Sequence, residues 1–240
     1  MRHRIRSIRV IVASLAVLGM LVGTSAGAQA STPPRENVRE AELTLVHGVP
    51  GGAGFPVDIT LSRRDGFKQV FRGVTFGTVA GPLRVDPGTY RVAIRPAGAP
   101  QSSKPVLSKW VGICWGKSKS VVAHLSATGT PRMSVYMNDI SSTGGKARVT
   151  IRHNAAAPAV DVYAGRSPVI QDLVNPYQRS IVVPAGAYPI SVAPANTSYA
   201  QRVFGPADLT FGANTLTVVY AVGSLRGGTF TPLVQVLPTR

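Results

Sequence analysis

From Ala41 onward the chain is a succession of short apolar runs separated by Gly, Pro, Asn and Ser clusters. Where the runs can be tested they alternate. In TYRVAIR, Tyr90, Val92 and Ile94 share one face and Arg91, Ala93 and Arg95 the other; in ARVTIRH, Val149 and Ile151 face inward while Arg148, Thr150 and Arg152 face outward. A period of two is the signature of half-buried strands. No amphipathic helical pattern lasts longer than a turn or two. About seven or eight strands per ~95 residues, with turn signals every ~8–12, predict an all-β protein built of antiparallel sandwiches.

The pattern is stated twice. VDPGTYRVAIRPAG (Val85–Gly98) returns as VPAGAYPISVAPAN (Val183–Asn196), and LTLVHGVPGGAGFPVDI (Leu43–Ile59) as VTIRHNAAAPAVDV (Val149–Val162), with His47 opposite His153 and Asp58 opposite Asp161. VVAHLSATGTPRMSVYMND (Val121–Asp139) matches VVYAVGSLRGGTFTPLVQV (Val218–Val236). Internal repetition of this kind predicts two copies of one unit. The predicted organisation is a leader over 1–30, an N-terminal linker over 31–40, sandwich domains over 41–140 and 146–240, and a flexible Gly-Ser linker over 141–145 between them.

The repeated phrase has a mechanical meaning. Asp86-Pro-Gly-Thr-Tyr90 has the layout of the tyrosine corner of immunoglobulin-like sandwiches, in which a Tyr hydrogen-bonds back to the turn before its strand. Val92 and Ile190 stand two residues after Tyr90 and Tyr188, where antibody domains place a disulfide cysteine. Gly88 and Gly186 are the turn residues expected to take a backbone shape that a β-carbon resists. Tyr90, Tyr188, Gly88 and Gly186, with His47 and His153 as rings that hydrogen-bond a turn, are assigned to scaffold. Asp58 and Asp161 leave the core face and are placed to pair with an outward Arg across the sheet.

Charge and address come next. Residues 1–30 hold Arg2, Arg4, Arg6 and Arg9 with no acid, a 14-residue apolar run, and Ala28-Gln29-Ala30 at the position a signal peptidase reads. This predicts export, with cleavage after Ala30, and no later stretch is long enough to span a bilayer. The whole chain carries a net charge of +16, and without the leader 22 basic residues face 10 acidic ones. Such a surplus favours anionic partners.

The chemistry on offer is thin. GTSAG (Gly23–Gly27) spells a nucleophile elbow but lies in the leader. GICWGKS (Gly112–Ser118) has the wrong glycine spacing for a phosphate loop, and no helix is predicted to follow it. His47, His124 and His153 lack the nearby ligands a metal needs, and the few acids offer no paired carboxylates for acid/base work. No catalytic, metal or cofactor site is assigned and no enzyme is expected. The single thiol, Cys114, is read as a small buried hydrophobe, with pairing between chains as the alternative. Trp110 and Trp115 fall on opposite faces of one strand, so that one is expected in the core and the other exposed.

The candidate ligand contacts are therefore Arg84, Arg91, Arg95, Lys117 and Lys119 as a basic face, with Trp110 or Trp115 as a stacking platform. Arg84, Arg91 and Arg95 are expected outward on adjacent strands. TIRHNAAAPAVDVYAGRSPVI, followed by VVPAGAYPISVAPAN, resembles the secreted bacterial domain of unknown function 4397, well over 146–238 and less closely over 41–140. The resemblance implies an immunoglobulin-like fold, export and tandem copies, and offers no catalytic residues to carry over. The expected protein is an exported, non-catalytic envelope or extracellular binding or structural protein whose basic face engages anionic cell-wall polymer, polysaccharide or lipid head groups. A carbohydrate-binding module using an exposed Trp is the alternative; nucleic acid is not expected.

Overall fold

A computed structural model of the chain describes residues 40–51 and 56–240; the predicted leader and most of the N-terminal linker lie outside the described residues. Among the described residues sixteen strands follow one another in the order expected of a duplication. The first eight are β1 (Ala41–His47), β2 (Val57–Ser62), β3 (Lys68–Val74), β4 (Val79–Val85), β5 (Gly88–Pro96), β6 (Leu107–Ile113), β7 (Ser118–Leu125) and β8 (Pro131–Asn138). The second eight are β9 (Ala147–His153), β10 (Val160–Ala164), β11 (Ser167–Leu173), β12 (Gln178–Val183), β13 (Gly186–Pro194), β14 (Phe204–Phe211), β15 (Thr215–Val222) and β16 (Thr231–Pro238), and a 3-10 turn lies at Tyr199–Gln201 between β13 and β14.

Each unit is a sandwich of two four-stranded sheets. In the first the orders are β4-β1-β7-β8 and β3-β2-β5-β6; in the second they are β12-β9-β15-β16 and β11-β10-β13-β14, the same plan strand for strand. Pairing is antiparallel except for β1 with β7 and β9 with β15, which run parallel. Alternation places Leu43, Leu45, Ile59, Leu61, Val92 and Ile94 in one core and Val149, Ile151, Val160, Val162 and Ile190 in the other. The chemistry of the repeat survives as geometry. Tyr90 Oη donates to Asp86 O at 2.7 Å and Tyr188 Oη to Pro184 O at 2.9 Å, so both tyrosine corners form. Gly88 and Gly186 sit at φ 153° and 159°, where a side chain is strained.

The two corners are finished differently. Tyr90 is 2% exposed, with Phe67 edge-on at 5.8 Å and the Arg63 guanidinium 5.5 Å from its ring centre. Tyr188 is only half-buried and stacks on Phe211 at 5.6 Å. Tyr90→Phe leaves Asp86 O short of a donor beneath that lid and is expected to lower stability in urea denaturation by about 1–2 kcal/mol. Tyr188→Phe, whose carbonyl partner can turn to water, should cost less.

One match within the repeat shifts on folding. His47 and His153 are equivalent in β1 and β9, and the parallel pairing then sets Val121 against Leu45 and Val219 against Ile151. Val121 is therefore equivalent to Val219, not to Val218. A slip of one residue exchanges the faces of a strand. Val219 belongs to its own unit's core, whereas Val218 points the other way, toward the first unit.

That outward direction is where the sequence reading is corrected most. Arg148, Thr150 and Arg152 do leave their own core, but Thr150 and Arg152 are buried and the Arg148 side chain keeps only 11% of its surface exposed. The β4-β1-β7-β8 sheet lies face to face with the β12-β9-β15-β16 sheet, and Val46, Val122, Tyr136, Leu216, Val218, Tyr220, Val222 and Leu237 form a third core between them. Four sheets are thus stacked in series. Segment 141–145, expected to be flexible, is held at both ends: Arg148 Nη1 donates to Asp139 O and Ser141 O at 2.8 and 2.7 Å, and Gly145 N donates to Asn214 Oδ1 at 2.9 Å. At the far margin Arg240 pairs with Glu42.

A polar network runs through this seam around Arg152, which is 0% exposed. Its Nε donates to Gln178 Oε1 at 2.9 Å, Nη1 to Tyr220 Oη at 3.1 Å, and Nη2 to Asn138 Oδ1 at 2.8 Å and Met137 O at 3.2 Å. Its guanidinium carbon lies 4.6 Å from the Tyr136 ring centre and 5.2 Å from that of Tyr220. Tyr220 Oη continues to Gln235 Oε1 at 2.7 Å, and Gln235 Nε2 donates to Thr44 Oγ1 at 2.7 Å. The network crosses from one unit to the other and back.

Candidate functional site

The seven residues singled out as ligand contacts separate into three groups. β4 and β5 belong to different sheets, because the Asp86-Pro87-Gly88 turn carries the chain from one layer to the other. Arg84 therefore does not share a face with Arg91 and Arg95. It lies at one end of the first sandwich and pairs with Glu40 at 3.5 Å. Trp115 and Lys117, in the β6–β7 turn, and Lys119, at the start of β7, lie at that same end. Lys119 Nζ donates to Gly112 O at 2.6 Å, and Gly116 N and Glu42 N bond Glu40 O and Lys117 O.

Arg95 is a correction. Its side chain does leave the core face, but the Ala97–Val106 connection folds back over this half of the β3-β2-β5-β6 sheet. Arg95 Nε donates to Ser103 O at 2.9 Å and Thr60 Oγ1 to Gln101 Oε1 at 2.8 Å. Thr60, Ala93 and Arg95 are all buried beneath that loop. Arg95 closes a loop and is not available to a ligand.

What the loop leaves open is the other half of the same face. Arg91 and Trp110 are direct cross-strand partners on β5 and β6, and Ser62 pairs with Arg91 from β2. Trp110 is 50% exposed, and the Arg64 guanidinium lies 5.6 Å from its ring centre. Two cations thus flank one accessible indole. Arg64, carried by the β2–β3 connection, was missed in the sequence because nothing local shows that this turn bends over β6. Trp115 is 60% exposed as well, so the expectation of one core and one surface tryptophan is also corrected. The reason is that β6 ends at Ile113 and Trp115 belongs to the turn. Cys114 is exposed for the same reason, against the expectation of a buried thiol.

The titratable groups inside the sandwiches are occupied with structure. His153 Nε2–H donates to Pro158 O at 2.8 Å while Nδ1 accepts from Ala155 N at 3.4 Å, which is the turn-holding ring expected. His47, its counterpart, is buried with neither ring nitrogen partnered among the described residues. His124 has Nδ1 2.8 Å from Leu125 O and Nε2 2.8 Å from Ser134 Oγ. Burial pushes all three below the ordinary histidine value. Asp58 accepts from Gly73 N at 2.9 Å and pairs across the sheet with Arg72 at 3.4 Å, while Asp161 accepts from Asp172 N at 2.9 Å. Gly73 and Asp172 have φ of 62° and 53°, so each carboxylate holds a left-handed residue in the third strand of its unit. Among the described residues no group of three or more His, Cys, Asp or Glu is placed to hold a metal ion.

Two stacked sandwiches with tyrosine corners, a polar seam and an arginine-flanked tryptophan define a tandem immunoglobulin-like β-sandwich protein. The chain belongs to the family described as domain of unknown function (DUF4397), whose model matches residues 41–163. The matched stretch covers the whole first unit and runs into β10, although the sequence resemblance had been strongest over 146–238. No curated protein matches the chain in sequence. Among solved structures it is similar to a candidate cell adhesion protein from Bacteroides ovatus, at 8% identity and TM-score 0.27. A second such protein, from Bacteroides uniformis, aligns at 8% identity and TM-score 0.23; each alignment covers 84% of this chain and 98% of the other.

Proposed function

We propose that this is an exported, non-catalytic envelope or extracellular protein whose first unit binds an anionic polysaccharide on the open half of its outer sheet. The observation that carries the reading is the register of Arg91 with Trp110, completed by Arg64 over the same indole. An exposed indole stacks on the apolar face of a sugar ring, and the flanking guanidiniums attract carboxylate or phosphate substituents. The face unites the basic-surface and tryptophan-platform readings in one place. The surplus of positive charge supports it by raising the local concentration of an anionic polymer. The arginine-rich leader supports an address outside the cytoplasm, and among the described residues no helix is long and apolar enough to cross a membrane. The commitment of His153, Asp58 and Asp161 to turns and bulges supports a role without catalysis.

The test is retention on purified cell-wall and acidic polysaccharide fractions across a salt series. Trp110→Ala is expected to weaken binding about tenfold, the equivalent of ~1.4 kcal/mol, at every salt concentration. Arg91→Glu should weaken it most at low salt and flatten the salt dependence. Folded protein that fails to bind any anionic fraction at low salt, or binding indifferent to both substitutions, rejects the proposal.

A further inference from the structure

The two units share a plan but do not fill their centres alike. In the second sandwich a cavity of about 80 Å³ lies between the sheets, with walls that are wholly apolar. Its deep wall includes buried Val149, while Ala164, Val169, Val183 and Tyr188, all partly exposed, gather at the end of the sandwich where the β10–β11 hairpin turns. In the first unit the corresponding end is closed. Leu61 pairs with Val92 as Ala164 pairs with Ile190, so the first copy has a leucine where the second has an alanine. The first copy also spends Arg63–Phe67 on its β2–β3 connection and seats Phe67 against Tyr90, whereas the second turns through Gly165 and Arg166 alone and has no such plug.

We infer that the open end of the second sandwich is a binding site for the hydrocarbon end of an anionic amphiphile, its acidic headgroup held by Arg166. An apolar cavity with no polar wall stays dry and is filled by apolar groups. At about 30 Å³ per water-sized group the space holds roughly three, the tip of an alkyl chain, with the rest of the chain leaving through the mouth. Arg166 stands exposed at the hairpin tip adjoining Ala164 and has no partner among the described residues. Its charge selects an acid over a neutral chain of the same length. This site is separate from the Trp110 face, and either can fail without the other.

Calorimetric titration of the full chain with octanoate and with 1-octanol tests the site. Saturable binding of octanoate is expected. Ala164→Leu, which installs the first copy's residue and fills the space, should weaken octanoate at least tenfold while raising the melting temperature. Val169→Phe gives the same reading should that variant misfold. Arg166→Glu should weaken octanoate at least threefold and leave octanol within twofold. Pelleting with phosphatidylglycerol vesicles that is lost in Ala164→Leu assigns the chain to a lipid; octanoate binding without pelleting assigns it to a free fatty acid. Trp110→Ala should leave octanoate binding unchanged. No saturable binding by the folded protein, or undiminished octanoate binding in both cavity-filling variants, overturns the inference, and equal losses for octanoate and octanol in Arg166→Glu overturn the headgroup contact.

Discussion

Arg152→Ala is expected to cost about 3–5 kcal/mol and to split one unfolding transition into two. The guanidinium is wholly buried in the seam, and no carboxylate pairs with it among the described residues. Its charge is held by the Tyr136 and Tyr220 rings and by the oxygens of Gln178, Asn138 and Met137. Truncation takes a donor from each of those oxygens, although Ser120 Oγ still donates to Asn138 Oδ1, and opens a void between two sheets, each a large penalty by itself. Burial pushes the Arg152 pKa down, yet an arginine starts so far above neutrality that the group stays charged. Arg152→Met separates the two costs, since it keeps most of the volume and removes the buried charge, a change that other proteins tolerate well. Guanidinium denaturation followed by Trp fluorescence reports the first unit, because Trp110 and Trp115 are both there; circular dichroism reports both units. Coincident transitions in the wild type that remain coincident and unshifted in Arg152→Ala would show that Arg152 is not what couples the units across the seam.

Acidification below pH 6.5 should destabilise the fold steeply, with no comparable change between pH 7 and 8. His47, His124 and His153 are all buried and all depressed below the usual histidine value, with desolvation as the leading cause. As pH falls through 6.5 the unfolded chain takes up protons that the folded chain refuses, so stability is complete above the unfolded value and is lost toward the folded ones. Each proton contributes about 1.4 kcal/mol per pH unit, so three acting together give a slope of roughly 4 kcal/mol per unit. At His153 burial acts against the hydrogen bond to Pro158 O, which favours the protonated ring, and a proton on Nδ1 would in addition displace the Ala155 N–H from the lone pair it occupies. Urea midpoints at pH 7.5, 6.0 and 5.0 measure the slope, and His153→Gln should lower it by about one proton. A midpoint flat over that range would mean that water reaches these rings.

Much of the fold was legible because strands report on themselves. A strand has two faces, so an alternating run such as Tyr90-Val92-Ile94 says which side seeks a core, and a Gly followed by a Tyr at fixed spacing builds its corner from neighbours a few residues away. The candidate site was legible only in part. Trp110 and Arg91 were named from their side chains, but their juxtaposition depends on how β5 and β6 align, and Arg64 reaches them through a turn whose direction no local pattern records.

By itself the sequence determined the strands, their inward faces, the two tyrosine corners, the turn-holding role of His153 and the doubling of the unit, because each rests on period-two patterning or on contacts within one turn. Tertiary structure alone decided what covers an outward face. Arg95 lies under its own loop and Arg152 under the neighbouring sheet, although both alternate exactly as solvent-facing residues do, because burial is set by whatever segment arrives from elsewhere in the chain. It also decided that one sandwich closes on Phe67 and Leu61 while its twin stays open over Ala164, since a void is a property of facing surfaces and no single strand contains it.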